Sequence, residues 1–123
     1  MQLLAIAAGG AMGSVLRYWI SLGLQASLGR AFPYGTLTVN ILGSLLIGFS
    51  FVLLNNNDDL SPYWRSLLIV GFLGALTTFS TFSLETLNLI QKMEFIKAGF
   101  NILLNVSVCI LATWVGINIA KSI

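Results

Sequence analysis

The residues best suited to chemistry form a dense run of hydroxyl side chains within an otherwise apolar part of the chain. Thr77, Thr78, Ser80 and Thr81 fall within five positions, and Phe79 lies among them. Serine and threonine hydroxyls offer the backbone alternatives to helical hydrogen bonds. The run is therefore predicted to break a helix, leaving carbonyls before the break and N–H groups after it. Carbonyls suit a cation, whereas the start of a helix suits an anion.

Other polar residues lie in equally apolar surroundings, where they mark either packing contacts or a transport path. The Asn40 amide can donate to a passing anion or bond a neighbouring helix. Glu85 is the only acid within the apolar runs, and Arg17 either reaches the membrane surface or serves as an internal counter-charge. Near the C-terminus, polar residues at every fourth position predict a stripe along one side of a helix. These residues are Asn101, Asn105, Cys109 and Thr113.

The composition excludes most catalytic and metal chemistry. The chain has no histidine and a single cysteine, Cys109, so it has no Cys/His pair and no intrachain disulfide. Hydrophobic residues make up 57% of the chain and charged residues only 8%, whereas soluble proteins carry about 25% charged residues. A net charge of +2 is too small to indicate nucleic-acid binding. These features predict an integral membrane protein that is not an enzyme.

Four apolar runs are long enough to cross a membrane, which takes about 20 residues. They cover residues 3–24, 37–54, 67–90 and 98–120. The connections are short, so we expect one all-α domain, residues 1–123, with four transmembrane helices and the third broken mid-membrane. Because Met1 and Gln2 lack the basic region of a signal peptide, we expect the first run to be retained.

The distribution of basic residues leaves two membrane orientations open. Arg65 and Lys121 lie on one side, against Arg30, Lys92 and Lys97 on the other. This near balance fits a weak preference for one orientation, or insertion both ways to give an antiparallel homodimer. A dimer also explains how short helices bury so many hydroxyls and amides and still enclose a path.

Three motifs together resemble the signatures of the CrcB/Fluc family of fluoride channels. They are GGAMGSVLRY at residues 9–18, GTLTVN at 35–40 and GFLGALTTFSTFSLE at 71–85. Their order and spacing extend the resemblance over the whole chain. The segment GALTTFSTFS is highly specific, whereas the glycine pattern at residues 9–13 alone would be weak.

The resemblance implies an antiparallel, dual-topology homodimer in the inner (plasma) membrane that exports cytoplasmic fluoride passively through two pores and so lowers intracellular fluoride. It implies a central structural Na⁺ ion held by the main-chain carbonyls of Gly74 and Thr77 from both subunits. It also implies a set of fluoride-pore residues: Asn40, Phe79, Phe82, Ser80, Thr81 and Thr113. Ser80 and Thr81 match the start of the family's hydroxyl track, and Thr113 matches its continuation. At the other track positions of the fourth run, where some members have tyrosine and serine, this chain has Asn101, Asn105 and Cys109.

Two other functions fit part of the pattern. A small multidrug-type dual-topology transporter has the same size and number of spans, but its characteristic first-span glutamate is missing and the first run carries Arg17 instead. A non-transporting assembly subunit would use its glycines and asparagines for packing alone. The hydroxyl cluster beside two phenylalanines exceeds what such packing needs.

Overall fold

The computed structural model describes all 123 residues, and every regular element in it is helical. Four helical segments are long and apolar enough to cross a membrane, which confirms the prediction of an all-α protein with four spans. Each span is longer at both ends than its predicted apolar run. Hydropathy detects only the part that crosses hydrocarbon, whereas backbone hydrogen bonding continues into the polar interface. The first to fourth spans are Gln2–Leu28, Tyr34–Asn55, Pro62–Gln91 and Phe95–Ser122.

Glycines permit the spans to pack in pairs with direct contact between backbones. A Cβ atom on Gly9 or Gly13 would collide with backbone carbonyls of the third span. Gly48 and Gly116 make the equivalent contacts between the second and fourth spans. A Cβ atom on either glycine would collide with a backbone carbonyl of the opposite span. Small residues at such positions drive helix association in membranes through close packing. The fold is therefore built from two tightly packed helix pairs.

The third span changes helix type and is then interrupted for two residues. Thr77 and Thr78 have extended backbone conformations, with ψ angles of 154° and 121°. They lie within the hydroxyl run singled out above. The helical segments of this span are Pro62–Arg65, the π-helix Ser66–Leu73, Gly74–Leu76 and Phe79–Gln91.

The fourth span also contains a π-helical stretch. It begins after a turn in which Met93 adopts a positive φ of 63°. Its segments are Phe95–Leu103, the π-helix Leu104–Val108 and Cys109–Ser122. π-Helices are rare and occur frequently at functional sites.

Few large apolar side chains are buried within one copy of the chain. The central cluster consists of Val39, Leu73 and Leu76, and it packs the second span against the start of the interruption. Most other large apolar residues face outward. This is the pattern of helices whose outer surface contacts lipid or a second subunit.

Candidate functional site

The interruption in the third span is held by Asn40 of the second span. The Oδ1 atom of Asn40 accepts a hydrogen bond from the Thr78 N–H at 2.8 Å, and its Nδ2 donates to the Thr78 carbonyl at 3.2 Å. Both residues are buried. A buried backbone group without a partner is costly, and the break removes the usual helical partners. One side-chain amide therefore replaces the missing helical bonds on both sides of Thr78.

The hydroxyl of Thr78 caps the helix that follows the interruption. It accepts a hydrogen bond from the Thr81 N–H at 3.2 Å, the usual role of a threonine at this position. The same oxygen lies 3.1 Å from the Thr81 hydroxyl and 3.3 Å from that of Ser80. The hydroxyl run thus forms one connected cluster at the start of the helix.

Two main-chain carbonyls at the interruption, those of Gly74 and Thr77, lack their helical donors. The Thr78 N–H bonds to Asn40 and not to the Gly74 carbonyl four residues earlier. The Thr77 carbonyl, outside the helices, receives no hydrogen bond from within the chain. The Thr77 side chain turns back to donate to the Leu73 carbonyl at 3.0 Å. Carbonyl oxygens of this kind are ligands for hard cations, so the residues present fit the predicted sodium ion.

A cavity of about 400 Å³ lies beside the interruption and is open along one side of the chain. The rings of Phe79 and Phe82 line it with centroids 5.3 Å apart and planes tilted by 59°. Phe82 is 7% exposed, whereas Phe79 is 75% exposed. The positive edges of aromatic rings can face an anion. The cavity brings together five of the predicted site residues: Asn40, Gly74, Thr77, Phe79 and Phe82.

A second cavity, of about 500 Å³, lies where the connections between spans one and two and between spans three and four meet. Thr81 lines this cavity with Glu85, whose carboxylate accepts a hydrogen bond from the Thr36 hydroxyl at 2.5 Å. Glu85 therefore bonds Thr36 and makes no salt bridge with Arg17. Glu94 also lines it and pairs with Lys97 at 3.4 Å. Three basic residues against two acidic ones leave a small excess of positive charge, which favours entry of anions. The basic residues are Arg30, Lys92 and Lys97.

Two predicted pore residues lie outside both cavities. The exposed Ser80 belongs to the hydroxyl cluster around Thr78. The Thr113 hydroxyl donates to the Cys109 carbonyl at 3.1 Å, a bond that threonines commonly make within a helix. A single chain does not join Thr113 to the other site residues, and its pore role stays a prediction.

The fourth span contributes a buried network whose function was left open by the sequence. Asn105 accepts a hydrogen bond from Asn40, and Asn101 donates one to Thr86 at 2.9 Å. The four-residue spacing of the polar stripe placed the two asparagines on one helix face. Thr86 was not singled out, and its only sequence signal is its position four residues after Phe82.

Comparisons with known proteins agree on one family. A family model for CrcB-like proteins, described as camphor resistance, matches residues 4–117. A curated relative from Pseudoalteromonas translucida, named fluoride-specific ion channel FluC, is 53% identical over 93% of this chain and 95% of its own length. One of the same name from Magnetococcus marinus is 47% identical over the full length of both. Another, from Methylococcus capsulatus, is 50% identical, and this chain spans 53% of its length.

Proposed function

The chain belongs to the CrcB family, and from that membership we propose that it is a fluoride-selective channel that lets cytoplasmic fluoride leave the cell passively. The observation that carries the proposal is the close similarity, over nearly the whole chain, to relatives named fluoride-specific channels. The family is one of ion channels, which confirms the prediction that the chain is not an enzyme. Its four spans, together with its membership of a family of bacterial channels, make it a multi-pass protein of the inner membrane.

The two cavities and the hydroxyl cluster supply what a fluoride path needs. Fluoride is small and strongly hydrated, so a selective path must replace water with short hydrogen-bond donors. The basic residues of the second cavity attract the anion. Thr81, which lines that cavity, is bonded to Thr78, which lines the first. The anion then passes the ring edges of Phe82 and Phe79.

A second copy of the chain, inserted with the opposite orientation, closes the first cavity. That cavity is open on the side where Phe79 is exposed, so a single chain does not enclose a path. The near balance of basic residues between the two ends supports insertion in both orientations. Each copy then provides one pore, giving two pores in an antiparallel homodimer.

Asn40 and the Thr78 hydroxyl leave the carbonyls of Gly74 and Thr77, respectively, available for a structural sodium ion at the dimer centre. Asn40 takes up the Thr78 N–H that would otherwise bond the Gly74 oxygen, and the Thr78 hydroxyl takes up the Thr81 N–H that would otherwise bond the Thr77 oxygen. Both copies contribute the same two carbonyls, so the ligands come entirely from neutral main-chain oxygens. When bound, the ion supplies fixed positive charge that favours anions in the neighbouring pores.

The test is anion efflux from liposomes that contain the purified protein. Liposomes loaded with potassium fluoride should release fluoride only after a potassium ionophore is added, because passive conduction of an anion separates charge. Chloride-loaded liposomes should release little. Equal fluoride and chloride release would contradict the proposal, as would proton-coupled efflux of a cationic dye, the activity of the alternative multidrug-type transporter.

A further inference from the structure

A chain of hydrogen bonds runs from Asn40 through the fourth span and back to Phe82. Asn40 Nδ2 donates to Asn105 Oδ1 at 2.9 Å, and Asn105 Nδ2 donates to Asn101 Oδ1 at 3.0 Å. Asn101 Nδ2 then donates to the Thr86 hydroxyl at 2.9 Å, which donates to the Phe82 carbonyl at 2.7 Å. All five side chains are buried. We refer to Asn105, Asn101 and Thr86 as the amide ladder.

The two ends of this chain of bonds impose the same orientation on every amide. The Phe82 carbonyl can only accept, so the Thr86 hydroxyl gives it a proton and must itself accept from the Asn101 nitrogen. At the other end the Thr78 N–H can only donate, so Asn40 turns its oxygen toward it. The Asn40 nitrogen therefore points into the fourth span. Reversing any one amide would break bonds on both of its sides.

The ladder has no donor positioned for a passing anion. The two hydrogens of Asn40 Nδ2 go to the Thr78 carbonyl and to Asn105. Those of Asn105 go to the carbonyl and side-chain oxygens of Asn101. Asn101 is completely buried, and neither it nor Thr86 lines either large cavity. Asn105 lines the first cavity, but both hydrogens of its amide are bonded to Asn101. The ladder therefore runs from the wall of that cavity into the interior and offers the path no free donor.

We propose that Asn101, Asn105 and Thr86 are positioning residues for the conduction path. This inference rests on the proposed function and assigns a role to three residues of this chain. The ladder fixes the Asn40 amide, which shapes the backbone at the interruption, and it ties that amide to the backbone of Phe82. A fully satisfied buried network selects a single geometry, since each broken bond leaves a buried polar group unpaired.

The sharpest test removes the far end of the ladder without touching either cavity. Thr86→Val keeps the side-chain shape but removes the hydroxyl, which leaves Asn101 without its acceptor. Per-channel fluoride efflux should fall about tenfold, the effect of losing one buried hydrogen bond on the population of the competent geometry. Thr86→Ser keeps the hydroxyl and should restore efflux to within about twofold of the unmodified protein. The matched control is Thr38→Val, at an exposed threonine of the second span.

A variant that fails to fold can be distinguished from one that folds but conducts slowly if the liposomes carry, on average, less than one channel each. The fraction of liposomes that empty then counts folded channels, while the rate of emptying reports each channel. Thr86→Val should lower the rate and leave the fraction unchanged. Asn101→Leu, a second break in the ladder at a residue that lines neither large cavity, should do the same.

Unchanged rates in both variants would overturn the proposal. A fall in the fraction alone, in both variants, would assign the ladder to folding and also overturn it. Failure of Thr86→Ser to restore the rate would exclude the hydroxyl as the cause. If the unmodified protein released no fluoride, the proposed function itself would fail, and the role of the ladder with it.

Discussion

A single side chain, Asn40, decides the local geometry of the candidate site. An uninterrupted helix would direct the Thr78 N–H to the Gly74 carbonyl, but here the asparagine takes that donor and also bonds the Thr78 carbonyl. The same amide therefore stabilises the extended backbone and leaves a main-chain oxygen available for a cation. Few residue types could replace it, because the position requires one acceptor and two donors in one plane.

The two cavity phenylalanines give the residue-scale prediction. Phe79→Ile and Phe82→Ile keep an apolar side chain but remove the positive ring edge, so each should slow fluoride efflux from liposomes about tenfold. Phe100→Ile serves as the control, because Phe100 is exposed and lines neither large cavity. Size-exclusion chromatography should show an unchanged oligomer in all three variants. Normal efflux in both cavity variants would remove these rings from the path.

At the scale of elements, the spans depart from ideal α-helices next to the site. The π-helix Ser66–Leu73 precedes the interruption, and the π-helix Leu104–Val108 carries Asn105 of the amide ladder. Such stretches widen the helix and are unfavourable unless packing maintains them. For the stretch in the third span, backbone-to-backbone contact with the first span supplies that packing.

Two glycines of the first span provide a test of this packing: one contacts the third span, and the other contacts nothing and serves as its control. A Cβ on Gly13 would collide with the Phe72 carbonyl, whereas nothing lies within 4 Å of a Cβ on Gly23. Gly13→Ala should destabilise the fold by about 2 kcal/mol, as expected for overpacking. Gly23→Ala should be neutral or mildly stabilising, because alanine favours the helix by about 1 kcal/mol.

Thermal unfolding in detergent measures both variants under the same conditions. Equal melting temperatures for the two variants would show that the contact between the first and third spans does not limit stability.

At the scale of the whole molecule, the structure gathers three basic and two acidic residues around one cavity. Arg30, Lys92 and Lys97 line the second cavity together. Arg65 lies near the start of the third span and Lys121 near the end of the fourth, away from this cavity. The proposed dimer would present one basic cavity to each side of the membrane, so each pore would have an anion-attracting mouth.

The balance of charge predicts how the chain responds to added lysines. In cells, a tag at the C-terminus of the unmodified chain should be accessible from both sides of the membrane. Changing Ser122→Lys and Ile123→Lys together should bias the C-terminus toward the cytoplasm, because basic residues are retained there. Fluoride efflux should fall with the loss of opposite partners. Neutral changes to glutamine at both positions are the control, and one-sided access in the unmodified chain would reject dual insertion.

The sequence by itself determined the four spans, the absence of catalytic chemistry and the positions of the polar residues. Apolar runs and costly polar groups in a membrane leave few alternatives, so local composition suffices for these features. The grouping of Asn40 with Phe79 and Phe82 was predicted from the resemblance, and the structure places all three around one cavity.

Only the tertiary structure decided which polar groups bond to one another. Asn40 and Asn105 are 65 positions apart, and Thr36 and Glu85 are 49 apart, so no local pattern pairs them. The side chain of Thr113 bonds within its own helix although its spacing placed it in the polar stripe. Helical periodicity specifies the face on which a side chain lies. The packing of the spans determines what that face meets, and in a membrane this packing depends on close backbone contacts that hydropathy does not report.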